Sequence, residues 1–310
     1  MQGQYDYSKF KEWLMLKKYS PATVGSVVKI VEQFRRWAES EGVAELEEVS
    51  YRDAMLFIQW CSKNGAAQKT IANYLMHIRK LYNFLMSEGT VKENPVAHIK
   101  VQGIKRKIYH DILSTEELQK LYDLYPTTVI AEAVKIIPPQ WKNILSKKRN
   151  KAILGLLINQ GLRVEEVAAI TLQDLQLREG KIIIHAQRRI AARTMKLESH
   201  QVYEIMDYIH GTRKEFLRTN DATDKLFLHW KKGERFYGIT ALMLSHLRKI
   251  NNRIKNFDQI RASVITQWLK QYDLRKVQYM SGHKYVSSTE DYKTNIIDEL
   301  QDDITKFHPL

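Results

Sequence analysis

Four side chains in the second half of the chain, Arg163, Arg261, His283 and Tyr292, are of the types that phosphate chemistry uses. A phosphodiester under attack gathers negative charge on its non-bridging oxygens, and guanidinium groups hold both oxygens while staying charged. A histidine adds a hydrogen-bond donor to such a clamp. A tyrosine hydroxyl, with a pKa of about 10, becomes a nucleophile at neutral pH only beside a base or in a strongly positive site. Each residue alone has an ordinary alternative. Arg163 can pair with Glu165 or Glu166 at a helix end, Arg261 with Asp258 one turn earlier, and His283 and Tyr292 can be a loop histidine and an interfacial aromatic.

The elements that must carry these residues follow from local patterns. In Gly161-Leu162-Arg163-Val164-Glu165-Glu166, the glycine can end one helix in the left-handed conformation, and Arg163 then opens the next. Arg261 lies in a predicted helix over 258–270, whose buried side is marked by Ile260, Val264, Ile265 and Trp268. His283 follows a short helix over 273–280 and its stop at Gly282. Ser287 to Glu290 has the S-x-x-E pattern of a capping box that would start a helix over 288–306 bearing Tyr292. Further helices are expected over about 148–160, 164–170, 200–216 and 240–254. Lys181–His185 and Arg193–Glu198 read as a β-hairpin joined by the turn 186–192, and Lys225–His229 as a third strand.

Before residue 100 the pattern is helical throughout. Ser20-Pro21 is a helix start followed by Val24, Val27, Val28, Val31, Phe34 and Trp37, and similar stripes run over 51–62 and 66–86. The reading is mainly α with a small β-sheet: a helical domain over 1–98, a basic linker over 99–111 with Lys105, Arg106 and Lys107, and an α+β domain over 112–310 opened by the capping box Ser114–Glu117.

Charge points to the partner. The 49 Lys and Arg against 35 Asp and Glu give a net charge of +14. The excess is shared, with 17 basic against 11 acidic residues in 1–110 and 32 against 24 in 111–310, so both domains can face a polyanion. A single cysteine, Cys61, excludes an intramolecular disulfide and a cysteine-based metal cluster, and fits a reducing compartment. No apolar signal core stands in 1–7, and the longest apolar run, Ala152–Ile158, is too short to span a bilayer. A cytoplasmic protein with no membrane association is expected.

Taken together, Gly161–Glu166, Arg261, and Gly282-His283 with Tyr292 nine residues after the histidine resemble, in this order and spacing, the catalytic domain of tyrosine recombinases of the phage integrase and Xer type. Ser20-Pro21-x-Thr23 and Lys69-Thr70-Ile71 to Phe84 resemble that family's SAM-like core-binding domain, so the likeness covers nearly the whole chain. It implies a two-domain DNA clamp that cuts and rejoins duplex DNA at specific sites. Arg163 and Arg261 would be the two arginines, His283 the histidine and Tyr292 the nucleophile, leaving a 3′-phosphotyrosyl bond and a free 5′-hydroxyl. Energy is conserved in that ester, so neither ATP nor metal is required and no cofactor is expected. A homotetramer on two DNA sites is implied, with the C-terminal helix around Ile296, Ile297, Leu300, Ile304 and Phe307 docked on a neighbour.

Two positions depart from the family pattern. Asp258 stands where a histidine is usual and can orient Arg261 or accept the tyrosine proton. On the hairpin turn, where the family places a lysine as general acid, counting from Arg163 reaches Gln187 and counting back from Arg193 reaches Arg188; Lys196 is the remaining lysine nearby. Arginine stabilises a leaving oxyanion but donates its proton poorly. Lys69, Arg79 and Lys80 fall on the helix expected in the major groove, with Arg79 as a base-edge or phosphate contact. The competing function is a non-catalytic DNA-binding relative, and within enzymes a topoisomerase-like activity without partner exchange.

Overall fold

In a computed structural model, the residues described are 6–103, 111–126, 140–187, 190–218, 223–230 and 236–296, with the side chains of 140–144 set aside. The chain divides into two compact units, Met1–Lys107 and Ile108–Leu310.

Among its described residues the first unit has four α-helices, α1 (Ser8–Leu16), α2 (Pro21–Ser40), α3 (Tyr51–Lys63) and α4 (Gln68–Ser87), and a 3-10 turn at Leu46–Glu48. Ser20 caps α2 by accepting from the Thr23 N–H at 3.3 Å, with Pro21 at the first helical position where its missing N–H costs nothing. The stripes Val24, Val27, Val31, Phe34 and Ile71, Leu75, Ile78, Leu81 meet in one core. Phe57 of α3 packs edge-on against Phe34 at 4.9 Å between ring centres. Ile99 and Val101, inside the expected linker, pack on this same core.

The second unit is built around α6 (Gln140–Asn159). Its run Ala152–Ile158 is buried on every side and so carries no polar face. Around it lie α5 (Thr115–Asp123), capped by Ser114 and Glu117 as the sequence predicts, α7 (Val164–Ala169), α8 (Ser199–Asp207), α9 (Arg213–Leu217), α10 (Phe236–Ile250), α11 (Phe257–Gln271), α12 (Leu274–Ser281) and α13 (Ser287–Glu290). The helix expected over 200–216 is divided by a five-residue π-helical turn at Tyr208–Thr212. No helix among the described residues is long and apolar enough to cross a membrane.

The sheet is antiparallel in the order β1 (Leu175–Gln176), β2 (Lys181–Ile184), β3 (Arg193–Lys196), with Ile182 opposite Met195 and Ile184 opposite Arg193. The hairpin stands as expected, but the third strand is β1 rather than 225–229. Leu226, Phe227 and Leu228 are all buried, so that segment is enclosed without the alternation of a half-buried strand. It forms one isolated bridge, Thr171 to Lys225.

The capping box at Ser287–Glu290 does not form. Val286 already has helical backbone angles and Ser287 makes no capping hydrogen bond, so α13 continues a turn begun at Tyr285. Tyr292 lies just beyond α13. The tail residues from Ile297 onward, including Leu300, Ile304 and Phe307, lie outside the described residues.

Candidate active site

Gly161 ends α6 with φ +55°, in the left-handed region that glycine enters without penalty. A side chain there would also press on Trp268 at 3.0 Å. The chain then turns into α7 with Arg163 as its extended N-cap, whose N–H donates to the Glu166 carboxylate at 2.7 Å. The Arg163 side chain does not pair with Glu165 or Glu166. Its partly exposed guanidinium makes no hydrogen bond or ion pair to a described residue, because Glu166 is engaged elsewhere.

Glu166 is enclosed with Arg193 of β3, whose Nη1 lies at 2.7 Å, and stands 3.7 Å from Arg261. Arg261 sits in the enclosed stretch 259–266 of α11 and is only 4% exposed. It donates to the Gly161 carbonyl, to the Ser281 carbonyl at 2.7 Å and to His283 Nε2 at 3.3 Å. Burial, then the neighbouring Arg163 charge, lowers its pKa to about 10, so it stays cationic at neutral pH. Asp258 is exposed at the start of α11, and Arg261 is held by these other groups rather than by it.

Gly282 closes α12 with φ +69°. A Cβ there would fall 2.2 Å from Arg193 Nη1, so both the backbone angle and the passage of Arg193 require glycine. This corner carries His283, 5% exposed, and the hairpin docks on it: Ile190 bridges His283 and the Ala191 N–H donates to the Gly282 carbonyl at 3.0 Å. Arginine only donates, so His283 Nε2 accepts from Arg261, and the ring proton sits on Nδ1, facing Thr289 Oγ1 at 2.9 Å. Burial first, then Arg261, Arg163 and Arg193, push the His283 pKa down to about 3. The ring is therefore neutral and, in this geometry, an acceptor at Nε2. The Tyr292 ring stacks on it at 5.7 Å and 15°.

The structure thus gathers Arg261, His283 and Tyr292 in direct contact, with Arg163 near enough to depress both buried groups. Arg193 Nε and Nη2 and Arg261 Nε are buried without an acceptor among the described residues. Donors exceed acceptors, which suits an anion. Arg193 was not among the residues singled out by chemistry, yet its signal is in the sequence: in Arg193-Thr194-Met195-Lys196-Leu197 it shares strand parity with two apolar residues, and so faces inward. By the same parity Lys196 is exposed on the other face of β3 from Arg193. Gln187 and Ile190 exchange both backbone hydrogen bonds across the turn, at 3.0 and 3.1 Å, while Arg188 lies outside the described residues.

On the first unit, Lys69 is exposed at the start of α4. Arg79 is not available as a base reader: its guanidinium donates to the Val96 carbonyl at 3.0 Å and the Ile99 carbonyl at 3.1 Å, anchoring the segment after α4. Lys80 is half-buried over the Tyr19 ring at 4.4 Å. Lys105, Arg106 and Lys107 lie outside the described residues.

Comparisons with known proteins cover both units. The chain is 26% identical over 305 residues to the tyrosine recombinase XerC of Bacillus subtilis, spanning 97% of this chain and 95% of that protein. It is 28% identical over 306 residues to XerC of Halalkalibacterium halodurans, spanning 95% and 94%. The fold is that of the Tn1549 transposon integrase in complex with transposon right end DNA, with TM-score 0.65 at 13% identity over 96% of this chain and 98% of the other. It is also that of the lambda integrase tetramer bound to a Holliday junction, with TM-score 0.61 at 14% identity over 92% and 75%. The N-terminal SAM-like domain of phage integrases matches residues 8–89. The phage integrase family itself matches 132–296, the stretch that holds Arg163, Arg261, His283 and Tyr292, and to that family this chain belongs.

Proposed function

We propose that this chain is a site-specific DNA recombinase that cleaves and rejoins duplex DNA through a 3′-phosphotyrosyl intermediate on Tyr292. The observation that carries the reading is the convergence of α7, α11, the α12–His283 corner and the residues after α13 on one donor-rich locus beside a tyrosine. Full-length relatives named tyrosine recombinases support the same activity.

Arg163 and Arg261 hold the non-bridging oxygens of the target phosphate. Tyr292 Oη forms a bond to phosphorus as the bond to the 5′-oxygen breaks, and the phosphotyrosine keeps the energy for rejoining. Asp258 takes up the tyrosine proton, and Arg188 stabilises the leaving 5′-oxygen, which takes its proton from water. Lys69, with Lys105, Arg106 and Lys107, contacts the DNA backbone, and four copies join two sites. The activity is read as cytoplasmic, a reading supported by a DNA partner and by a single, buried cysteine.

The test is a nicked suicide duplex carrying the sequence that the native chain enriches from a randomised DNA pool. A denaturation-resistant protein–DNA adduct is expected, and Tyr292→Phe abolishes it. Tight specific binding without adduct would sink the enzyme reading.

A further inference from the structure

A carboxylate inside a site for phosphate is a liability, because it repels the incoming anion and competes for the same guanidiniums. Glu166 is such a group. It is completely enclosed, and one of its oxygens accepts the Arg163 N–H at 2.7 Å, which fixes the start of α7. The same oxygen stands 3.7 Å from Arg261 Nη1, just beyond hydrogen-bond reach. Its other oxygen is taken by Arg193 Nη1 at 2.7 Å. Arg193 comes from β3 of the hairpin, its side chain is as enclosed as that of Glu166, and its Nε and Nη2 meet no acceptor among the described residues. An enclosed guanidinium does not itself grip DNA.

We propose that Arg193 is a positioning residue for the phosphate clamp: by pairing with Glu166 it neutralises that carboxylate and keeps it off Arg163 and Arg261, whose guanidiniums stay available to the scissile phosphate. Glu166 then braces α7 without cancelling the positive field that the two arginines present. The Arg163 guanidinium fits this role, since it makes no hydrogen bond or ion pair to a described residue although a carboxylate lies three positions on. Without Arg193 the enclosed carboxylate is left uncompensated, and Arg261 is at hand to neutralise it. The inference rests on the reading of Tyr292 as nucleophile.

Arg193→Met keeps most of the side-chain volume and drops the charge, whereas Arg193→Lys keeps the charge. Single-turnover adduct formation at saturating suicide duplex is expected to fall about a hundredfold in the methionine variant, the loss of one charged donor from the transition state, while DNA affinity stays within about threefold. The lysine variant recovers to within about tenfold of native. A second duplex carries a methylphosphonate at the cleaved position, mapped from the native adduct, so that one non-bridging oxygen is replaced by an uncharged methyl. On it the gap between the native and methionine chains is expected to shrink to about tenfold or less, because a neutral phosphate no longer depends on the field that Arg193 protects. Arg193→Met combined with Glu166→Gln leaves no charge of this pair unmatched and still offers an oxygen to the Arg163 N–H. This double variant is expected to cleave within about tenfold of native, and it carries the test should the single variant unfold.

A native cleavage rate in Arg193→Met would overturn the inference. So would an equal loss on both duplexes, or a folded double variant that stays about a hundredfold slow, because either shows that Arg193 only holds the hairpin in place. If the native chain forms no adduct at all, it is the nucleophile reading that fails, and the positioning role falls with it.

Discussion

At the scale of single residues, the site shows how burial and charge set chemistry together. His283 is surrounded by three arginines and buried, so the folded chain refuses a proton that the unfolded chain accepts at its ordinary pKa of about 6.5. A folded pKa depressed to about 3 means stability is fully present above about pH 6.5 and is lost progressively as pH falls toward 3. Urea unfolding across that range should therefore show a steeper acid loss for the native protein than for His283→Gln. Equal slopes would mean that His283 titrates normally. Cleavage, by the same reasoning, should show no inflection from His283 near neutral pH. The two buried arginines of the site were not equally legible: Arg261 stood out through the family resemblance, whereas Arg193 announced itself only through strand parity.

At the scale of elements, the decisive joint is the one between the hairpin and the α12–His283 corner. Gly282 meets two demands at once, a left-handed backbone and room for Arg193. Gly282→Ala should destabilise the protein by about 1–3 kcal/mol, from backbone strain and the displaced guanidinium, and should slow adduct formation at least as much as it unsettles folding. Thermal unfolding and the suicide duplex measure the two effects; an alanine variant that is stable and fully active would show that Arg193 has no fixed place there. Helix starts at Pro21, Thr115 and Val164 were readable because caps and apolar spacing are local. The third strand was not, because β1 is two residues long and pairs only through its neighbour β2, leaving almost no alternation to read.

For the whole molecule, the positive charge shared by both units is the electrostatic basis for DNA affinity, and its parts are separable. Lys69 is exposed, whereas Arg79 is committed to two backbone carbonyls. Lys69→Ala should weaken DNA binding and reduce the slope of log affinity against log salt by about 1, the release of roughly one counterion. Arg79→Ala should instead lower the melting temperature of the full chain and leave the salt slope unchanged. Binding isotherms at several salt concentrations, beside a melting curve, distinguish the two. A salt slope altered by Arg79→Ala would return that residue to the DNA interface.

The sequence alone determined the helical character of the first unit and the hairpin, because helix caps and periodicity are short-range signals, and its resemblance to the tyrosine recombinases singled out Arg163, Arg261, His283 and Tyr292 as candidates. Tertiary structure decided what those residues touch. It turned Arg79 inward, because the carbonyls of Val96 and Ile99 lie 17 and 20 positions away and only folding brings them to the guanidinium. It gave Glu166 to Arg193 rather than Arg163, and it set the polarity of His283 by placing a donor-only arginine on one nitrogen and a threonine on the other. Spacing can name the groups of such a site, but proton positions depend on contacts between distant segments, and these exist only in the folded chain.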